Sequence, residues 1–144
     1  MTGRPRVLVL LGSESDRPVM EKAVVILEDA GVDVRVLVSS AHRDARRTAE
    51  LAVSAREEGF SVVICGAGLS AALPGVVAAH TDLPVIGVPI SAGTLGGIDA
   101  LLSIAQMPPG VPVATVGIDG SKNAAHLALR ILGRSGQRGT SPPS

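Results

Sequence analysis

Aromatic side chains are nearly absent from this chain: of its 144 residues one is Phe, and none is Trp or Tyr. Stacking platforms for single-stranded nucleic acid need aromatic faces, which argues against that kind of binding. Any core must be filled by Val, Ile, Leu and Ala instead. An excess of either charge is also missing, with 13 Lys and Arg against 13 Asp and Glu. A basic footprint for nucleic acid needs net positive charge, so no nucleic-acid partner is expected. Cysteine is limited to Cys65, which rules out an internal disulfide and any cysteine-based metal cluster. Its place in the apolar run 62–65 reads as a small buried hydrophobe. Long hydrophobic runs are missing too: residues 7–11 are too short for a secretory core, and nothing approaches the roughly 20 apolar residues that span a bilayer. A cytoplasmic protein without a membrane partner is the expectation.

What the chain does have is 46% hydrophobic residues, enough in 144 for one domain with a real core. Short β-branched runs alternate with Ala-rich and Leu-rich stretches of helical period, the pattern of βαβ units around a parallel sheet. Strands are expected near 6–11, 32–38, 61–66, 84–88 and 112–116, and helices near 18–30, 44–58, 73–80, 94–106 and 123–132. Pro18 is tolerated in an opening turn, while Gly31 and Gly59 are stops. Strands that are apolar throughout, such as 7–11, are buried on both faces, so helices should cover both sides of the sheet. The expected fold class is therefore α/β, a three-layer α/β/α, flavodoxin-like parallel sheet in a single domain over residues 1–133. Residues 134–144 turn to Arg, Gly, Ser, Thr and Pro and are expected to form a disordered tail. The stretch 94–106 carries Gly96, Gly97 and many small residues, which suit close packing against another subunit.

Open α/β sheets place their chemistry where strand ends meet helix starts. After the second expected strand come Ser40, Ala41, His42 and Arg43. A histidine there can move protons near neutral pH, and the arginine beside it can hold a phosphate in fixed geometry. The first strand ends in Gly12, Ser13, Glu14, Ser15 and Asp16. Serine hydroxyls and free helix N–H groups suit an anion, and Asp16 suits ribose hydroxyls, yet serine and aspartate are also ordinary N-caps. The lysine of the NTPase phosphate loop and the third glycine of the dinucleotide fingerprint are missing.

The third strand ends in Gly66, Ala67 and Gly68, followed by Leu69 and Ser70. Its glycines would let a carboxylate or a planar ring approach backbone N–H groups, although a plain tight turn explains them as well. Gln106 and Met107 either edge a ring pocket or end a helix stopped by Pro108. His80 and His126 have no carboxylate or second histidine at metal-ligand spacing and read as surface or packing residues. No Gly-x-Ser-x-Gly elbow announces a hydrolase.

Taken together, Gly12-Ser-Glu-Ser-Asp16, Ser40-Ala-His-Arg43, Leu73-Pro-Gly75 and Leu102-Ser-Ile-Ala-Gln-Met-Pro108 closely resemble, in order and spacing, the N5-carboxyaminoimidazole ribonucleotide mutase family (PurE, class I) of purine biosynthesis. The likeness covers residues 7–132. It implies a three-layer α/β/α fold and a homo-octamer with its sites between subunits. It implies an isomerase that moves a carboxyl group from the exocyclic nitrogen to the ring carbon of an aminoimidazole ribonucleotide. In that family the carboxylate leaves as carbon dioxide, stays trapped and is added to the ring carbon, which requires a closed, dry pocket. By the same resemblance His42 is the general acid/base that carries the ring proton. Ser15, Ser40 and Arg43 would hold the 5′-phosphate, Asp16 the ribose hydroxyls, and Gly66, Ala67 and Gly68 would face the ring and its carboxylate. Ser13, Leu69 and Ser70 complete the substrate-binding set. Neither a metal nor a cofactor is needed.

The family pattern Gly-Ala-Gly-Gly-Ala-Ala-His-Leu-Pro-Gly reads here Gly66-Ala-Gly-Leu-Ser-Ala-Ala-Leu-Pro-Gly75. Leu69 replaces a glycine, Ser70 an alanine, and Ala72 the family's second histidine. The Thr-Pro usual after His-Arg is Asp44-Ala45, and the serine usual after Asp99 is Ala100. The phosphate and ribose motifs are intact while the base-facing loop is altered. An alternative therefore stands beside a mutase that has drifted: a retasked enzyme of nucleoside (deazapurine) specialised metabolism. Such an enzyme would join phosphoribosyl pyrophosphate to a carboxylated purine-like base, or decarboxylate such a nucleotide. A third reading, a non-catalytic nucleotide binder, has no need of the proton carrier His42.

Overall fold

Alternation of period two splits the first strand between two cores. In β1 (Arg6–Leu11), Val7, Val9 and Leu11 face one way and Leu8 and Leu10 the other, all of them buried. The protein is described from a computed structural model, over residues 3–134. A 3-10 turn (Glu14–Asp16) leads from β1 into α1 (Arg17–Asp29), followed by β2 (Asp33–Val38), α2 (Ala45–Ser54), β3 (Phe60–Gly68) and α3 (Leu73–His80). Then come β4 (Val85–Ile90), α4 (Ile98–Ala105), β5 (Ala114–Thr115) and α5 (Ser121–Ile131).

All the strand pairings are parallel, in the order β2-β1-β3-β4-β5, which is the flavodoxin-like arrangement. Helices α1 and α5 cover one face, where Met20, Ala23, Leu27, Ala124 and Ala128 pack on Val62 and Ile64 of β3. On the other face Ala52, Leu73, Val77, Ala100 and Ile104 meet Val63 and Cys65. The α/β class, the layers and the two-sided burial agree with the expectation from sequence. No described helix is long and apolar enough to cross a membrane.

Element boundaries differ in several places. The second helix is shorter than 44–58, because Asp44 is its N-cap and the backbone N–H of Phe60 turns back to the carbonyl of Ala55 at 3.1 Å. The fourth helix starts at Ile98 rather than 94: Gly96 and Gly97 have φ of +60° and +97°, left-handed values that a right-handed helix does not admit. β3 runs on to Gly68, pairing with Ile90 of β4. β5 shrinks to the pairs Ile86 with Ala114 and Gly87 with Thr115. Of the tail expected over 134–144, residues 135–144 lie outside the described residues.

Candidate active site

In the order β2-β1-β3-β4-β5 the crossovers change direction between β1 and β3, so a crevice opens at the carboxyl ends of those two strands. There the N–H of Gly12 donates to the carbonyl of Gly66 at 2.9 Å, binding the 12–16 turn to the end of β3. Within that turn the Ser13 hydroxyl accepts from the N–H of Ser15 (3.3 Å), and the Ser13 N–H donates to the Asp16 carboxylate (3.1 Å). This is a reciprocal capping box, so Ser13 and Asp16 do act as helix caps. The hydroxyls of Ser13 and Ser15 lie 3.0 Å apart at the surface. Asp16 is only 7% exposed, and that burial raises its carboxyl pKa from the ordinary value, with the Ser13 N–H opposing the shift.

The second strand end is held from below. Ser39 and Thr48, both buried, bond hydroxyl to hydroxyl at 2.7 Å, and the Thr48 hydroxyl also donates to the carbonyl of Asp44. The guanidinium of Arg47 donates to the carbonyl of Val38. Above these anchors the Ser40 hydroxyl accepts from the N–H of Arg43 at 3.1 Å, and its carbonyl accepts from Asp44. The Asp44 side chain accepts from the N–H of Arg47, so the change from Thr-Pro to Asp44-Ala45 leaves α2 properly capped. His42 and Arg43 are exposed on this loop, and the Arg43 guanidinium has no hydrogen-bond or ion-pair partner among the described residues. The ring of His42 reaches across to the third loop, where Nε2 lies 2.9 Å from the carbonyl oxygen of Ser70.

At the end of β3 the three small residues have separate reasons. A Cβ on Gly66 would strike the buried side chain of Met20, so the missing side chain there makes room for α1. Ala67 turns its methyl into the core beneath α2, α3 and α4 and has only its backbone to offer a ligand. A Cβ on Gly68 would press on the Ile90 carbonyl and on Ala92. Leu69 and Ser70 are exposed, with the Ser70 carbonyl accepting from Ala72 as well as from His42.

Further out, Met107 lies over Gly75 on α3, and Gln106 is the C-cap of α4. His80 bonds a carbonyl of its own helix, that of Val76, and His126 is exposed on α5. Cys65 is fully buried, which pushes its thiol far above the usual range. Among the described residues no group of three or more His, Cys, Asp or Glu is placed to hold a metal ion. The sequence singled out neither Ser39 and Thr48 nor Met20. A polar residue at the core-facing position 48 was a signal for the first pair, whereas nothing local to Gly66 pointed to Met20.

Comparison with known proteins covers the stretch of chain that contains this crevice. The profile of the family described as AIR carboxylase matches residues 6–140. The N5-carboxyaminoimidazole ribonucleotide mutase of Pyrococcus abyssi is 59% identical over 130 residues, 90% of this chain and 75% of the relative. The mutase of Thermotoga maritima is 55% identical over 129 residues, again 90% of this chain and 75% of the relative. Among solved structures, Treponema denticola PurE superposes with a TM-score of 0.78 at 32% identity, covering 90% of this chain and 81% of that one.

Proposed function

The chain belongs to the AIR carboxylase family, and from that premise we propose that it is an isomerase, an N5-carboxyaminoimidazole ribonucleotide mutase of purine biosynthesis. The observation that carries the reading is His42, exposed at the carboxyl edge of the sheet and held at Nε2 by the Ser70 carbonyl. A carbonyl oxygen only accepts, so Nε2 bears a proton there, and Nδ1 is the nitrogen left to give and take the proton that is moved.

The reaction needs such a group twice. The exocyclic nitrogen takes up a proton as its bond to the carboxylate carbon breaks and carbon dioxide is released. The ring carbon then attacks the carbon dioxide, and the proton on that carbon is removed. One group that gives the first proton and takes the second returns to its starting state, with no net proton change. His42 fills that role. Arg43, whose guanidinium has no partner among the described residues, and the hydroxyls of Ser13, Ser15 and Ser40 hold the 5′-phosphate. Asp16 accepts from the ribose hydroxyls, and the backbone of Gly66, Ala67 and Gly68, with Leu69 and Ser70, faces the ring.

A homo-octamer in the cytoplasm, with its sites between subunits, completes the reading. Leu95, Ile98 and Leu102 support it: they are more than half exposed in the turn before α4 and along that helix, where a second subunit would cover them. The retasked alternative is not favoured, since relatives at 54 to 59% identity carry the mutase name. The test is to incubate the folded protein with N5-carboxyaminoimidazole ribonucleotide and follow the products. The ring-carboxylated isomer is expected; its absence overturns the reading.

A further inference from the structure

Leu69 occupies backbone that favours glycine. Its φ is +53°, a left-handed value that strains any residue with a Cβ and persists only where the surroundings impose it. Burial does not explain it, because the side chain is 53% exposed. A contact does: Cδ2 lies 2.7 Å from the point where a Cβ on Gly93 would sit, so the leucine rests on the Gly93 backbone. Gly93, itself at φ +69°, belongs to the loop after β4, the sheet neighbour of β3. The residue that follows Leu69 is Ser70, whose carbonyl holds His42. One side chain thus links the β4 loop to the atom that orients the proton carrier.

We infer that Leu69 is a positioning residue: braced on Gly93, it fixes the Ser70 carbonyl so that His42 is held as the Nε2–H tautomer, with Nδ1 free to move a proton. The inference rests on His42 being the acid/base group of the reaction proposed above. Leucine supplies the brace that glycine lacks, and glycine at 93 supplies the space that any other residue would fill. The strain at Leu69 is the counterpart of a loop held in one position.

Imidazole 15N shifts of His42 read the tautomer in the folded protein without turnover. The wild type is expected to show the Nε2–H pattern. Leu69→Gly relieves the strained φ and is expected to fold, yet to populate both tautomers. Its kcat falls about tenfold, because small misplacements of a reacting group are amplified in rate. The phosphate contacts lie on other loops, so the fall in kcat exceeds any rise in KM from the lost ring contact of Leu69. Leu69→Met, which keeps a long apolar side chain, restores both the tautomer and kcat.

Gly93→Ala in the wild type reproduces the Leu69→Gly phenotype by pushing the leucine away. In the Leu69→Gly background it adds little to the tautomer ratio or kcat, because no leucine is left to push away; the φ penalty at 93 is common to both backgrounds and cancels in the coupling. If Gly93→Ala does not fold, Leu69→Gly and Leu69→Met carry the test alone. An Nε2–H pattern that survives Leu69→Gly, or effects of the two substitutions that simply add, overturn the inference. A wild type that makes no ring-carboxylated product overturns the functional reading instead, and the tautomer measurement still decides whether Leu69 braces the loop.

Discussion

His42 and Ser70 are joined by one hydrogen bond, ring Nε2 to carbonyl oxygen at 2.9 Å, between loops that follow different strands. Because the partner is a backbone carbonyl, no change of side chain at position 70 removes it directly. The identity of the imidazole is what can be tested there. His42→Asn keeps a polar group on the loop but cannot accept and return a proton. The expected loss in kcat is about 10²- to 10⁴-fold, the usual contribution of a general acid/base. As the residue is exposed, thermal melts should move little. A variant within a few-fold of wild-type rate removes His42 from the chemistry.

Asp16 links stability to pH. Burial raises its folded pKa above 3.8, the value without that burial. A carboxyl with a raised folded pKa binds protons more readily when folded, so its contribution to stability is fully present below the unfolded value and is lost as the pH rises through the folded one. Asp16→Asn removes the titration while keeping an oxygen to accept from the Ser13 N–H. The variant is expected to be at least as stable as wild type at neutral pH, with the difference shrinking below about pH 4. It should also bind substrate more weakly. Urea denaturation across the pH range reads the first effect, and a difference that does not vary with pH contradicts it.

Gly66 is glycine because Met20 stands where its side chain would go. Met20 is 1% exposed, so its side chain can yield only by displacing its neighbours in the core. Gly66→Ala is therefore expected to lose about 1–3 kcal/mol of stability, the usual range for overpacking. In a Met20→Ala background the same change should be close to neutral. Chemical denaturation of the four proteins gives the coupling, and equal losses in both backgrounds would mean that the contact is not responsible.

Cys65 lies wholly inside the core beneath α2, α3 and α4, with its thiol pushed up by burial. Thiolate is the reactive form, so reagents should fail to modify the native protein at mildly alkaline pH and should modify it at once in denaturant. The labelling rate then follows the population of unfolded chains. Rapid labelling of the native state would place this part of β3 in contact with water.

Much of this is legible in the sequence. The alternation in residues 7–11, the stops at Gly31 and Gly59 and the turn from strand to helix after Val38 are local preferences, written within a few residues of where they act. The same holds for Ser13 and Asp16, whose capping box closes within one turn. Local preference failed where a neighbour far along the chain intervened. The stretch 94–106 has helical period from end to end, yet Gly96 and Gly97 take left-handed φ, with Ile118 filling the space where a side chain at 97 would go, and α4 starts only at Ile98.

The sequence alone thus determined the α/β class, the two-sided burial of the sheet and the junction that presents His42 and Arg43. These follow from periodicity, glycine and caps, which need no knowledge of the rest of the chain. Only the tertiary structure decided which junctions meet: Gly12 with Gly66, Met20 with Gly66, His42 with Ser70, and Leu69 with Gly93. Each pair is set by the order and register of β2, β1, β3 and β4. Register is a property of the assembled sheet, because hydrogen bonding between strands, rather than the preference of any one segment, brings distant loops to the same edge.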